Sequence, residues 1–275
     1  MRAAVTVSLI PELRQGPFVF CDDLADACQR AAALGFHAIE LFPPDAQAVD
    51  VTQLRHLLED NGLSLAAVGT GAGWYRHQLS LTSAAPTIRQ QALDFARRLL
   101  EFAAHFQAPI VIGALQGRAS GEVSRTTALR YLGQALFHLD DSADQLGTTV
   151  LFEPLNRYES NLVHTLADAA LLIRGAGLQH VRLLADLFHM NIEEADLPQA
   201  IREAGNWVGH VHFADSNRRA AGWGHTHFAP IMQALREVGY QGYLSAEVLP
   251  LPDAEAAARQ SIAAFRQCLA AAGLA

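Results

Sequence analysis

The sequence predicts an α/β fold, a (β/α)8 barrel forming one domain over residues 1–275. Three observations carry this expectation. Short β-branched runs alternate with longer Ala/Leu-rich stretches of helical period from one end to the other. The 275 residues divide into eight units of about 34, near the size at which such barrels close as one domain. Helices stop at a glycine just before the next strand, at Gly35, Gly62, Gly147, Gly177 and Gly239, as a left-handed cap does where a helix turns sharply back. An open doubly wound sheet would carry a glycine fingerprint after its first strand. Here the first strand runs instead into Pro11-Glu12-Leu13, and no linker, low-complexity segment or charge run divides the chain.

The units follow in order. Strand Ala4–Ile10 is β-branched up to the Pro11 break, and helix Leu24–Leu34 ends at Gly35. Strand His37–Leu41 precedes helix Val51–Asn61, and strand Ser64–Val68 precedes the long helix Thr87–Phe106. Strand Pro109–Ile112 pairs with helix Arg125–Leu146, Thr149–Phe152 with Thr165–Ala176, and Val181–Ala185 with Leu197–Ala204. Val208–Val211 with Phe228–Val238, and Gly242–Ala246 with Ala254–Ala271, complete the eight.

Composition excludes whole classes of chemistry. All 20 basic residues are arginine, so Schiff-base aldolases, pyridoxal-phosphate enzymes and P-loop kinases, which need a lysine amine, are ruled out. A lysine-free chain of net charge −8 also lacks the basic stripe of a nucleic-acid surface. Cys21, Cys28 and Cys268 form no CxxC pair or zinc-knuckle spacing and read as reduced thiols of a cytoplasmic protein. The apolar stretch Ala3–Ile10 is broken by Pro11 and Glu12, which suits a first strand better than a signal peptide. No run approaches the roughly 18 apolar residues of a membrane span.

In a barrel the active site gathers at the C-terminal ends of the strands. The residues closing the last four strands are Glu153, Asp186, His212 and Glu247, separated by 33, 26 and 35 positions, each about one βα unit. Taken singly, each has an ordinary explanation: a helix cap for Glu153 or Asp186, a hydrogen-bonded core histidine for His212. Together they put three carboxylates and an imidazole on one rim, where a divalent cation would relieve the repulsion. That donor set suits Mn2+, Mg2+, Co2+ or Fe2+ better than a thiolate-rich zinc site, and Mn2+ is the expected cofactor. Glu159, His189 and Arg218 fall on the same rim. His210, two residues before His212, points to the same interior side one layer deeper, as a core histidine or a supporting group. Asn156 and Asp215 read equally as supporting hydrogen-bond partners or turn-formers. Gly222 and Gly224, flanking Trp223, suggest either a backbone passing close to a ligand or a plain loop.

The segments Leu151-Phe152-Glu153-Pro154-Leu155-Asn156-Arg157-Tyr158-Glu159, Asp186-Leu187-Phe188-His189, His210 through Arg218, and Ser245-Ala246-Glu247-Val248 resemble the xylose-isomerase-like sugar isomerase/epimerase superfamily. Within it they are most similar to ketose 3-epimerases acting on D-tagatose, D-psicose or L-ribulose. The resemblance implies metal ligation by Glu153, Asp186, His212 and Glu247. It also implies substrate binding by His189 and Arg218 at the carbonyl oxygen and by Glu159 near the terminal hydroxyl, and a dimeric or tetrameric homo-oligomer. Ala221 and the run His225-Thr226-His227-Phe228 depart from the pattern, which bears on substrate identity more than on reaction type.

The expected activity is metal-dependent epimerisation of a ketose or keto-sugar acid at C3. One of Glu153 and Glu247 removes the proton and the other returns it to the opposite face, through an enediolate. On the same barrel the alternatives are an aldose–ketose isomerase such as hydroxypyruvate isomerase, or a sugar-acid or inosose dehydratase. A DNA-repair enzyme of the endonuclease IV type is remote. Its metal cluster needs histidines from the early strands, which end here in Glu40-Leu41, Val68-Gly69 and Ile112-Gly113.

Overall fold

In the computed structural model, which describes residues 1–21 and 23–273, the strands form one sheet. They are β1 (Arg2–Ser8), β2 (Phe20–Cys21), β3 (Ala38–Phe42), β4 (Ser64–Gly69), β5 (Ile110–Ile112), β6 (Val150–Phe152), β7 (Val181–Asp186), β8 (Val208–His212) and β9 (Tyr243–Ala246). Every pairing between them is parallel, and β1 pairs with both β3 and β9, so β1 and β3–β9 close into an eight-stranded barrel. The (β/α)8 expectation holds, and the glycines expected at the helix ends, Gly35, Gly62, Gly147, Gly177 and Gly239, all have positive φ.

The helices are α1 (Leu24–Leu34), α2 (Val51–Asp60), α3 (Gly71–Tyr75), α4 (Pro86–Ala104), α5 (Arg125–Leu146), α6 (Leu166–Gly175), α7 (Leu187–Glu193), α8 (Leu197–Ala204), α9 (Phe228–Glu237) and α10 (Ala254–Ala271). Strict one-to-one alternation does not hold. β2, α3 and α7 are additions, each too short for a periodic pattern to register. The reason for β2 lies in the β1–β9 seam. β9 pairs with β1 only as far as Val5, because the chain then turns away at Glu247. β2 takes up the remaining edge of β1 at Val7 and Ser8. Thr6 stitches the junction, its Oγ1 donating to the Ala246 carbonyl (3.0 Å) and accepting from the Val19 amide (3.1 Å). Backbone groups that would otherwise be buried unpaired are thereby satisfied.

Strand alternation sorts residues between two cores. Val68, Ile110, Ile112, Val150, Phe152, Leu183 and Ala185 face outward into the large core shared with the helices. Ala67, Val111, Leu151 and Leu184, the intervening residues, form a separate cluster inside the barrel. The same parity turns Glu153 and Asp186 inward above that cluster. Two bulges break the regular ladder: Ala66 is extra between β3 and β4 beside Glu40, and Gly209 is extra between β7 and β8 beside His210. A Cβ at Gly209 would meet the Cβ of Arg182 at 2.6 Å, so only glycine allows β8 to bulge there.

Candidate active site

The four strand-end residues converge as spaced. Glu153 follows β6, Asp186 and His212 end β7 and β8, and Glu247 follows β9; all four are buried. Their meeting point is Nδ1 of His212, which lies 3.2 Å from Asp186 Oδ2 and 3.5 Å from both Glu153 Oε1 and Glu247 Oε2. Room for Glu153 comes from the neighbouring strand end, since a Cβ on Gly113 would lie 2.3 Å from its Oε2. Asp186 uses its two oxygens differently. Its Oδ1 caps α7, accepting from the amides of Phe188 (2.7 Å) and His189 (3.3 Å), while Oδ2 faces His212.

His189, on α7, is held by Asn156. The Asn156 backbone amide and side-chain Nδ2 both lie against His189 Nδ1, at 3.4 and 2.7 Å. A backbone N–H can only donate, so Nδ1 is the accepting nitrogen and Nε2 carries the hydrogen. That Nε2 points inward, 3.7 Å from Asp186 Oδ2 and 3.8 Å from Glu153 Oε1. Arg218 sits at φ 58°, a left-handed conformation uncommon outside glycine. It donates to Glu247 Oε2 (2.5 Å) and Glu159 Oε1 (3.2 Å), stacks 4.8 Å above the Phe188 ring, and has its buried Nε unpaired. Asn156 also donates to Glu159 (3.1 Å), so it supports both neighbours.

Asp215 resolves as a turn-former. Its carboxylate accepts from the amides of Ser216, Gly222 and Thr226 and ties together the loop after β8. The tight backbone at Gly224 belongs to this knot rather than to a ligand, since a Cβ there would strike Asp215 Oδ1. His225 bonds Ser216 (3.0 Å) in the same loop, and His227 stands at the N-terminus of α9 without a side-chain capping bond.

Glu40 is the residue that strand-end reasoning missed. It lies inside β3, wholly buried, 3.0 Å from His210 Nε2 and 3.1 Å from His212 Nε2. A carboxylate flanked by Ala38, Ile39, Leu41 and Phe42 was the available signal, since an ionisable residue on the inner face of a strand needs a buried partner.

Electrostatics follow from this crowding. Burial opposes the charge on Glu40, but His212 and His210 outweigh it and hold the carboxyl well below the ordinary range. Asp186 is likewise lowered against burial by His189, His212 and Arg218. Burial lowers His212, yet Glu247, Glu40 and the bonds to Asp186 and Glu153 raise it well above its usual value. Glu247 is pushed up by burial, with Glu153 and Asp186 adding to the effect against His212 and Arg218. The donor atoms of Glu153, Asp186 and His212 lie close enough to share one cation, with Glu247 alongside. Three carboxylates around one imidazole nitrogen that can give up its proton are a fitting set for a hard divalent ion.

Above this cluster opens a cavity of about 230 Å3, lined by Glu153, Glu159, His189, Arg218 and Glu247 on one side and by Leu13, Phe18, Phe42 and Val111 on the other. A model of the xylose isomerase-like TIM barrel family matches residues 28–268. The chain belongs to that family. Among its relatives, the 3-dehydro-D-guloside 4-epimerase of Escherichia coli (strain K12) is 30% identical over 266 residues, covering 92% of this chain and 98% of the relative. The L-ribulose 3-epimerase of Mesorhizobium japonicum is 33% identical over 223 residues, covering 78% of this chain and 71% of the relative. A solved L-ribulose 3-epimerase superposes with a TM-score of 0.83 at 26% identity, over 99% of this chain and 95% of that one. Among the described residues no helix is long and apolar enough to cross a membrane.

Proposed function

We propose that this chain is an isomerase-class carbohydrate epimerase that inverts the carbon next to a carbonyl, acting at C3 of a ketose. The observation that carries this reading is the convergence of Glu153, Asp186, His212 and Glu247 beneath a cavity that Glu153 and Glu247 line together with His189 and Arg218. The first four are the residues that would hold a divalent ion, Mn2+ foremost, with Mg2+ or Co2+ as alternatives. Bound there, the ion supplies Lewis acidity that makes the proton beside the carbonyl removable.

The chain's own groups do the rest. Inversion needs a base on each face of the reacting carbon. Glu153 and Glu247 reach the cavity from β6 and β9, with Asp186 and His212 between them, and serve as that pair. One takes the proton from carbon and the other returns a proton to the opposite face. The raised Glu247 suits a group that holds a proton in the resting site and gives it up in turn. His189, fixed by Asn156 with its Nε2–H toward the cavity, and Arg218, with an unpaired buried N–H, are donors for the oxygen that gains charge in the enediolate. Glu159, partly exposed at the rim, is placed to accept from a distal hydroxyl.

Among the described residues lining the cavity, Arg218 is the only arginine. Arg157, in the loop after β6, is occupied by Glu193 through two bonds of 2.9 Å. Both facts favour an uncharged keto-sugar over a phosphorylated one or a keto-sugar acid.

A second reading has its own support. The E. coli relative, matched over 98% of its length, is named for C4 epimerisation of a 3-dehydro sugar glycoside. In that substrate, too, the inverted carbon adjoins the carbonyl, so the same residues serve. Incubating the Mn2+-loaded protein in D2O with a panel of free ketoses and 3-keto-glycosides, followed by NMR, tests both readings. Deuterium at the epimerised carbon is expected, at C3 or at C4 respectively. Turnover without deuterium would remove the two-base mechanism, and an aldose or a dehydrated product would replace the epimerase reading.

A further inference from the structure

Glu40 does not line the cavity, yet two histidines at the base of the site, His210 and His212, are tied to it. Its Oε2 lies 3.0 Å from Nε2 of His210 and its Oε1 3.1 Å from Nε2 of His212, with all three side chains almost wholly buried. An ionised carboxylate only accepts hydrogen bonds, so both ring nitrogens carry hydrogens and donate. An imidazole that is neutral with its hydrogen on Nε2 has its lone pair on Nδ1. In His212 that is the atom facing Asp186, Glu153 and Glu247.

We propose that Glu40 is the positioning residue of this centre: it clamps His210 and His212 through their Nε2–H groups and so makes Nδ1 of His212 the ligating nitrogen. The inference rests on the reading of the rim as a divalent-cation site and names the part of the chain that orients it. The fold is shaped for this clamp. The bulge at Ala66 lies beside Glu40 and the bulge at Gly209 immediately precedes His210, and such irregularities re-aim side chains. His210 anchors the clamp from below, lining the cavity at the opposite mouth of the barrel, with its ring perpendicular to that of His212 at 5.7 Å.

The donor atoms of Glu40, His210 and His212 also lie close enough to hold an ion. That arrangement is disfavoured on three counts. Both separations are those of ordinary hydrogen bonds. The group contains one carboxylate, against three on the other side of the His212 ring. Finally, an ion on each side would require His212 to lose both ring hydrogens.

The test compares the wild-type protein with Glu40→Gln. The amide keeps the volume but offers a donor to one of the two rings. Turned toward His212, that donor is satisfied only by the tautomer with its hydrogen on Nδ1, where the ion would sit; turned toward His210, it takes the Nε2–H of that ring out of the clamp. Wild type is expected to take up one Mn2+ per chain, and E40Q to bind it about 10- to 100-fold more weakly, the usual cost of losing a partner behind a ligand. The visible spectrum of the Co2+-loaded protein should change as well. In 15N-histidine-labelled, Zn2+-loaded wild type, NMR should show His212 ligated at Nδ1 and protonated at Nε2. This measurement decides alone if E40Q does not fold. Unchanged Mn2+ affinity and Co2+ spectrum in folded E40Q, ligation at Nε2, or two ions per chain would each overturn the clamp while leaving the cation centre standing. A wild type that binds no divalent ion would overturn the centre and the clamp with it.

Discussion

Leu13, Pro17, Phe18, Phe42 and Val111 line the side of the cavity reached from β1–β5, whereas Glu153, Glu159, His189, Arg218 and Glu247 line the side reached from β6–β9. The two walls enclose one space but are built on different principles. The charged wall is a network in which each group is held by the next: Asn156 holds His189 and Glu159, and Arg218 bridges Glu159 and Glu247. The apolar wall is held by packing, as in the 4.6 Å contact between the rings of Phe18 and Phe42. The difference teaches that a barrel can keep reactivity on one arc and shape on the other. Damage to the first should appear in turnover and damage to the second in substrate affinity.

The largest effect should come from Glu247→Gln. This change removes a proposed base, a cation donor and the partner of Arg218 at once. Turnover should fall about 10²- to 10⁴-fold, the range for a lost general acid or base, as read by deuterium exchange at the epimerised carbon. Full epimerisation in this variant would strip the charged wall of its assigned role. Next in size is Arg218→Lys, which keeps the charge but loses the planar fork that reaches both Glu247 and Glu159. A fall of about 10²- to 10³-fold in kcat is expected, as for loss of a donor to a developing oxyanion. A change confined to KM would move Arg218 to the binding side of the comparison.

Cation binding should sharpen the contrast through pH. Without an ion, His212 is raised by its carboxylate neighbours, and Glu247, raised chiefly by burial, sits at about 7. Both groups therefore hold protons in mildly acid solution that an ion must displace. Mn2+ affinity should rise between about pH 6 and about pH 8, with proton release visible by calorimetry in buffers of different ionisation enthalpy. Stability moves the opposite way. A carboxyl whose folded value lies above its unfolded one stabilises at low pH and loses that contribution as pH rises through the folded value. The metal-free protein should thus melt at a lower temperature at about pH 8 than at about pH 6, and Mn2+ should remove the difference. A pH-independent affinity would break the electrostatic account of this wall. The smallest effect belongs to the other wall. Leu13→Ala, at a half-buried position, should raise KM by no more than about tenfold with kcat unchanged, and a large loss of kcat would show that the apolar arc shapes the chemistry too.

The same asymmetry explains what could be read from the sequence. The charged arc was legible because strand ends recur once per βα unit, so Glu153, Asp186, His212 and Glu247 announce themselves by spacing alone. Glu40 was not, because it sits within β3 and its partners lie 170 and 172 residues away. Periodicity says that its side chain points inward but not what it meets there. The apolar lining was equally hidden: Leu13, Pro17 and Phe18 come from the connection after β1, whose path into the cavity no local pattern encodes. The β2 stitch follows from Glu247 leaving the sheet, a tertiary demand met by two residues. Asp215 shows a different limit. By sequence it read equally as a supporting hydrogen-bond partner or a turn-former, and its carboxylate accepts from three loop amides.

Asp186 divides its two oxygens between the first turn of α7 and the centre of the site. Whatever is felt at one oxygen is therefore felt at the other. Charge drawn toward Oδ2 alters how well Oδ1 accepts from the amides of Phe188 and His189, and loosening of that turn alters what Oδ2 can offer in return. The amide hydrogens of Phe188 and His189 are consequently a native gauge of the site. Their rates of exchange with solvent should track its occupancy, at backbone atoms that take no part in the reaction.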